Sequence, residues 1–166
     1  MHFNKSETEL RAYDRRVFRH KLPRKGNPRA YLAGFFDADG TISASQKTGE
    51  NSFSLIVALY NTNLEFLKWA QTLIGGQIFD RPRTQNPKQI QRMLRLTNIE
   101  EQFDFLNQIY PHLRIKKKAV EFGIRYIISR KRMKHLSHPS QYSIQLLRDL
   151  RKENKSRSYH SKDCPF

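Results

Sequence analysis

The chain has 166 residues, 37% of them hydrophobic, with 31 Lys and Arg against 15 Asp and Glu and a net charge of +16. A single cysteine, Cys164, excludes an internal disulfide and a cysteine-built zinc site. No run of about 18 apolar residues is present to span a membrane, and no charged start followed by an apolar stretch marks a secretory leader. The expectation is a soluble intracellular protein. A sequence pI near 10.3 points first to nucleic acid, with an anionic membrane surface a weaker second choice.

The charge is uneven. Residues 1–29 hold nine basic and three acidic residues, net +6, and residues 129–166 hold ten and three, net +7. Residues 30–128 hold twelve and nine, net +3, and carry nearly all the periodic apolar sequence. This predicts a compact core at 28–130 between basic extensions at 1–27 and 131–166. The extensions fit phosphate-binding arms, disordered or partly helical. Residues 7–19 have amphipathic spacing, which Pro23 and the run Gly26-Asn27-Pro28 interrupt. The Arg-rich start resembles an organelle transit peptide, but Glu7, Glu9 and Asp14 count against one.

In the core, Pro28 suits the first turn of a helix running from Arg29 to Asp37, with Gly40 as its stop. Thr41 to Lys47 alternates: Ile42 and Ala44 lie on one face, Thr41, Ser43, Ser45 and Lys47 on the other. Thr48 to Asn51 reads as a turn, and Phe53 to Tyr60 as a second strand. Asn61 to Ile74 has helical spacing, closed by Gly75-Gly76, with Trp69 expected in the core. Gln77 to Arg81 is a third strand and Arg83 to Lys88 a polar loop. Gln89 to Thr97 alternates again, with Ile90, Leu94 and Leu96 opposed to Gln89, Gln91, Met93 and Arg95, and Arg92 a misfit. Ile99 to Tyr110 is a helix broken by Pro111. Two more follow, Lys116 to Ile128 and Ser140 to Glu153, the last with Ile144, Leu147 and Leu150 as its apolar stripe. The order α-β-β-α-β-β-α-α predicts an α+β fold, with a four-stranded antiparallel sheet covered by helices on one face. The other face would show Ser43, Ser45, Lys47, Ser52, Ser54, Gln91 and Arg95. That set fits an ordinary wet sheet face, and also a face that reads bases in the major groove, which the net charge favours.

The segment Tyr31 to Ile42, YLAGFFDADGTI, carries the chemistry. Ala30, Gly34 and Ala38 are spaced by four, so they share one helix face. Small residues at that spacing let two helices approach closely. Asp37 and Asp39 stand at the helix C-terminus, where each opposes the macrodipole at about 0.3–1 kcal/mol. An unfavourable choice made twice asks for compensation, such as a divalent cation. DxDG alone also fits an Asx turn. It does not fit a calcium loop, whose glycine sits at the sixth position.

Residues 32–40, LAGFFDADG, resemble the signature of the LAGLIDADG homing endonucleases, differing at two of nine positions, both hydrophobic for hydrophobic. The element order is similar to that family's, and the single copy resembles its single-motif branch, often encoded in group I introns. The resemblance covers about residues 28–130. It implies a saddle-shaped sheet in each subunit of a homodimer, with Ala30, Gly34, Asp37 and Ala38 at the interface of paired motif helices. It implies two Asp39 side chains at the dimer centre, binding Mg²⁺ with the main-chain oxygen of Ala38 (Mn²⁺ or Ca²⁺ also fitting), and hydrolysis of a pseudo-palindromic DNA duplex with 3′ overhangs. Residues 111–118, PHLRIKKK, resemble the stretch that carries the family's basic residue near the metal, at Lys116. Locally, Arg114, Lys116, Lys117 and Lys118 fit a phosphate-binding cluster equally well. Asn61 matches the family's water-ordering polar residue after the second strand, and it also fits a cap on the next helix. The DNA contacts implied are Ser43, Ser45, Lys47, Ser52, Ser54, Arg81, Arg83, Gln89, Gln91, Arg95 and Lys118. Competing readings are a maturase that binds intron RNA and a DNA-binding relative without catalysis. The source implied is a mitochondrion or chloroplast of an alga or fungus, or a microbial cytoplasm.

Overall fold

A computed structural model of the chain describes residues 27–46, 53–82, 90–132 and 140–160. The elements are α1 (Pro28–Asp39), β1 (Gly40–Gln46), β2 (Phe53–Asn61), α2 (Leu64–Ile74), β3 (Gln77–Pro82), β4 (Ile90–Leu96), α3 (Ile99–Ile109), a 3₁₀ turn (Tyr110–His112), α4 (Lys117–Arg132) and α5 (Gln141–His160). The strands form one antiparallel sheet in the order β1-β2-β4-β3. The expected α+β fold is what the structure shows.

Helix starts follow from local side chains. Asn27 Oδ1 accepts from the Ala30 N–H at 3.1 Å, ahead of Pro28. Asn63 Oδ1 accepts from the Phe66 N–H at 3.1 Å and Asn98 Oδ1 from the Glu100 N–H at 2.8 Å, capping α2 and α3. Ser140 Oγ accepts from the Ser143 N–H at 3.2 Å at the start of α5. After α2 the chain turns through Gly75 and Gly76 at φ 78° and 89°, a region that favours glycine.

One face of the sheet is the floor of the core. Ile42, Phe53, Leu55, Val57, Leu59, Leu94 and Leu96 are buried under Leu32, Ala33 and Phe36 of α1, Leu67, Ala70 and Ile74 of α2, and Phe103, Leu106 and Ile109 of α3. Gly123 brings α4 close to β1, since a Cβ there would lie 2.6 Å from Ile42 Cδ1. The C-terminal helix joins the same core. Leu146, Leu147 and Leu150 of α5 are buried in it, the buried Ser129 and Ser143 hydroxyls meet at 2.6 Å, and Asn154 Nδ2 donates to the Ile42 carbonyl at 2.8 Å.

Some details differ from the sequence reading. β2 runs on through Asn61, so α2 begins at Leu64 and its cap is Asn63. Trp69, expected in the core, is 39% exposed. Its stripe on α2 is apolar, but the ring projects beyond the layer that the sheet covers. Arg92 shares the inward-facing parity of Leu94 and Leu96, and lies at the end of the sheet. There it reaches the Thr62 carbonyl at 2.9 Å and Asp80 at 3.1 Å. α4 and α5 extend to Arg132 and His160. The amphipathic stretch at 7–19, the turn at 48–51 and the loop at 83–88 lie outside the described residues.

Candidate active site and nucleic-acid face

The two motif acids have opposite environments. Asp37 is 9% exposed and turned into its own chain. Its Oδ2 accepts from the Arg114 N–H at 2.7 Å and the Ile115 N–H at 3.2 Å, and its Oδ1 from the Lys116 N–H at 2.9 Å. Asp39, two residues on, is exposed, and among the described residues its carboxylate has no hydrogen bond or ion pair. The difference is one of helix geometry. Two residues turn about 200° around an α-helix, so the acids point to opposite sides.

Lys116 answers Asp37. Its Nζ donates to the carbonyls of Phe36 at 2.8 Å, Ala38 at 3.2 Å and Gly40 at 2.8 Å. These are carbonyls at the C-terminal end of α1, where partial negative charge gathers and no basic residue occupies the last turn. The segment before α4 is thus clamped to α1 twice: main-chain N–H groups on a carboxylate, and an ammonium on main-chain carbonyls. The electrostatic conflict of two acids at this end is offset by one lysine that is distant in sequence. Gly40 leaves room for the Phe36 ring, because a Cβ there would lie 2.3 Å from Cδ2 of the fully buried Phe36.

Asn61 reaches the same end of the sheet, since Gly40 pairs with Leu59 two residues earlier. Its Oδ1 accepts from the Asn63 N–H at 2.9 Å, an Asx turn leading into α2. Its side-chain amide keeps its own donors.

Along the outer side of α1, Gly34 and Ala38 are exposed and Ala30 is half-buried. A Cβ on Gly34 would find nothing within 4 Å. Among the described residues nothing packs on the stripe at Gly34. Beside it lies an aromatic patch that sequence reasoning missed. Tyr31, 57% exposed, meets Trp69 edge-on at 5.7 Å and Phe66 at 6.1 Å, and Phe35 meets Phe66 at 4.4 Å. The available signal was the four-residue spacing of Tyr31 and Phe35 next to the Gly34 stripe. Asp37 is not part of this strip.

The sheet face away from the helices carries Thr41, Ser43 and Ser45 of β1, Ser54, Ile56, Ala58 and Tyr60 of β2, Gln91, Met93 and Arg95 of β4, and Gln77 and Phe79 of β3. Among the expected contacts, Ser43, Ser45, Ser54, Gln91 and Arg95 thus share one face. Arg81 lies opposite Gln91 in β3 by its main chain. Lys47, Ser52, Arg83 and Gln89 lie outside the described residues. Lys118 is not brought to this face: it stands on α4 and pairs with Glu153 of α5 at 3.0 Å. Tyr60, Met93 and Phe79 were not expected there as contacts.

The donor set suits a hard divalent cation in part. The Asp39 carboxylate and the Ala38 carbonyl are oxygen ligands of the kind Mg²⁺ takes, two of about six positions. The carbonyl oxygen has a second lone pair beyond the one facing Lys116. Among the described residues no group of three or more His, Cys, Asp or Glu gathers.

Residues 27–156 match the model of the LAGLIDADG-like domain family. An intron-encoded DNA endonuclease, ai2b, of Dictyostelium discoideum is 31% identical over 93 residues, 55% of this chain and 35% of that protein. The chain thus spans about a third of the length of the curated relative it matches. Among solved structures, the archaeal intron-encoded homing endonuclease I-Vdi141I complexed with DNA is similar at a TM-score of 0.61 and 20% identity, covering 76% of this chain and 83% of that one. The homing endonuclease I-CvuI, in complex with a DNA target, is similar at 0.55 and 19%, covering 76% and 81%. At these identities the structures show a shared fold.

Proposed function

We propose that this chain, which belongs to the LAGLIDADG family, is a site-specific endonuclease that cuts both strands of a DNA duplex as a homodimer. The observation that carries the reading is the pairing at the end of α1: a structurally engaged Asp37 beside an exposed, unengaged Asp39. An acid kept at an unfavourable helix end, with no partner among the described residues, is available to a metal ion. The uncovered stripe of Ala30, Gly34 and Ala38, widened by Tyr31 and Trp69, supports a second copy as partner. Two-fold pairing there brings the two Asp39 residues toward each other at the interface.

In this reading Asp39 and the main-chain oxygen of Ala38 would hold Mg²⁺. A bound divalent ion supplies polarisation of the scissile phosphate and a more acidic attacking water. The residues of the chain do the rest. Lys116 is held beside the Ala38 carbonyl at 3.2 Å, placing a fixed positive charge next to the reacting phosphate. Asp37 keeps the backbone of 114–116 docked on α1, so that lysine does not wander. Asn61 offers its amide N–H groups to water or phosphate at the same end of the sheet. The serine, glutamine and arginine face lies in the major groove, one sheet per half-site, and a two-fold dimer fits a pseudo-palindromic target. The products carry short 3′ overhangs. The intron-encoded relative favours an organellar or microbial genome as source.

The test is selection by cleavage. A randomised pseudo-palindromic duplex library is incubated with the protein and Mg²⁺, or with EDTA. The reading expects one family of two-fold-related sites, cut on both strands only with Mg²⁺. Tight binding to a structured RNA, with no duplex cut under any divalent ion, would instead place the chain among splicing cofactors.

A further inference from the structure

Strand register places three large side chains in one row on the helix-free face. Tyr60 of β2 pairs with Met93 of β4, and Met93 pairs with Phe79 of β3. The adjacent residues Leu59, Leu94 and Ile78 belong to the core, so these three point the other way. Phe79 is 40% exposed, and Tyr60 and Met93 are half-exposed. No described helix covers them. Single exposed apolar residues are ordinary. Three in register across three strands, on the face expected to meet a polyanion, ask for a ligand with an apolar feature.

Double-stranded DNA offers one such feature in the major groove, the C5-methyl group of thymine. We propose that the row Tyr60–Met93–Phe79 reads thymine methyl groups, so that the target requires thymines at the positions facing it in each half-site. This rests on the endonuclease reading above and adds to it the base identity that these side chains select. The flanking residues fit a mixed code. The next row holds Thr41, Ala58, Arg95 and Gln77, and there Arg95 suits guanine, which Met93 and Phe79 cannot hydrogen-bond. Three strands spaced by about 4.8 Å span about 10 Å. At about 3.4 Å per base pair that is at most about three successive positions. The row lies at the Asp39 end of the sheet, because Gly40 pairs with Leu59 and Tyr60 follows. The thymines therefore belong to the inner part of each half-site, toward the cut.

The experiment uses the full chain and the duplex recovered by selection. Each thymine is replaced in turn by deoxyuridine, which lacks only the methyl group. Burying one methyl is worth about four-fold in affinity. The expected result is a loss of about that size at one to three inner positions of each half-site. Phe79→Ser or Met93→Ser should abolish the loss at the matching position while leaving other positions unchanged. Both side chains point away from the core, and thermal unfolding checks that the variants fold. A defined target at which every deoxyuridine is neutral overturns this inference and leaves the endonuclease reading standing. So do penalties that persist unchanged in both variants. Recovery of no duplex target overturns both readings together. Tight binding to single-stranded RNA that Phe79→Ser abolishes would assign the ring to base stacking and overturn the methyl assignment.

Discussion

Asp37 and Asp39 are the same side chain two residues apart, and the structure gives them different surroundings. Asp37→Asn keeps the shape but loses charge and turns an amide toward main-chain N–H groups. Hydrogen bonds to a buried charge are worth roughly 1.5–3 kcal/mol, so urea unfolding at fixed protein concentration should show a loss of that order. Asp39→Asn should leave stability within about 0.5 kcal/mol, since nothing among the described residues leans on it. Gly40→Ala should cost about 1–3 kcal/mol in the same assay, because the new methyl meets the buried Phe36 ring. Two acids against the helix dipole were legible in the sequence, and so was Lys116 by its place in PHLRIKKK. The means of compensation was not. It depends on a contact across nearly 80 positions of chain, and no local spacing encodes that. Asn61 shows a finer limit. Asn61 and Asn63 are both good cap residues, and only the length of β2 decides that Asn63 takes the cap.

At the scale of elements, α1 has two working faces. Leu32, Ala33 and Phe36 pack into the core, while Gly34 and Ala38 face outward. Periodicity made both stripes visible, and Pro28 and Gly40 marked the ends. Whether the partner of an apolar stripe is the same chain or another is not written in periodicity, which is why Trp69 reads as core and is found 39% exposed. The α5 helix is the converse case. Its leucine stripe was legible within a strongly basic sequence, but its docking on α4 and β1 is settled by long-range contacts such as Asn154 with Ile42. The two faces of α1 can be uncoupled. Gly34→Leu adds a side chain where a Cβ has open space, and in a helix it gains about 0.8 kcal/mol of propensity over glycine. Dilute, monomeric protein should therefore be as stable as wild type or slightly more so. Sedimentation at higher concentration should show that the variant stays monomeric where the wild type dimerises. Trp69 is the only tryptophan, so its emission should shift to shorter wavelength as the wild type dimerises, and should not shift in the variant.

For the whole molecule, charge and fold both fit the proposed DNA partner. The sheet presents a mixed face, in which Ser, Gln and Arg side chains stand beside the Tyr60–Met93–Phe79 row, and the chain carries +16 overall, most of it in the two terminal segments. A protein that neutralises about 6–10 phosphates loses roughly 10³–10⁵-fold in affinity between 50 and 200 mM salt. Titrations of the selected duplex should follow such a slope. Weak salt dependence would mean that the basic excess does not face DNA. The overall architecture was the most legible level of all, because alternation marked the strands and capping side chains open α1, α2, α3 and α5; the pairing of β2 with β4 is written in no local turn. The proposed second copy, metal and DNA target leave no periodic trace in the sequence; the exposed Asp39, the Gly34 stripe and the sheet face away from the described helices are the features that point to them.

The most direct measurement compares wild type with Asp39→Asn on the selected duplex, reading binding by filter retention in EDTA and double-strand cleavage in Mg²⁺. The account predicts equal binding and a dimer in both, with cleavage by the wild type alone. Cleavage by Asp39→Asn at the wild-type rate would contradict it and remove Asp39 from the chemistry.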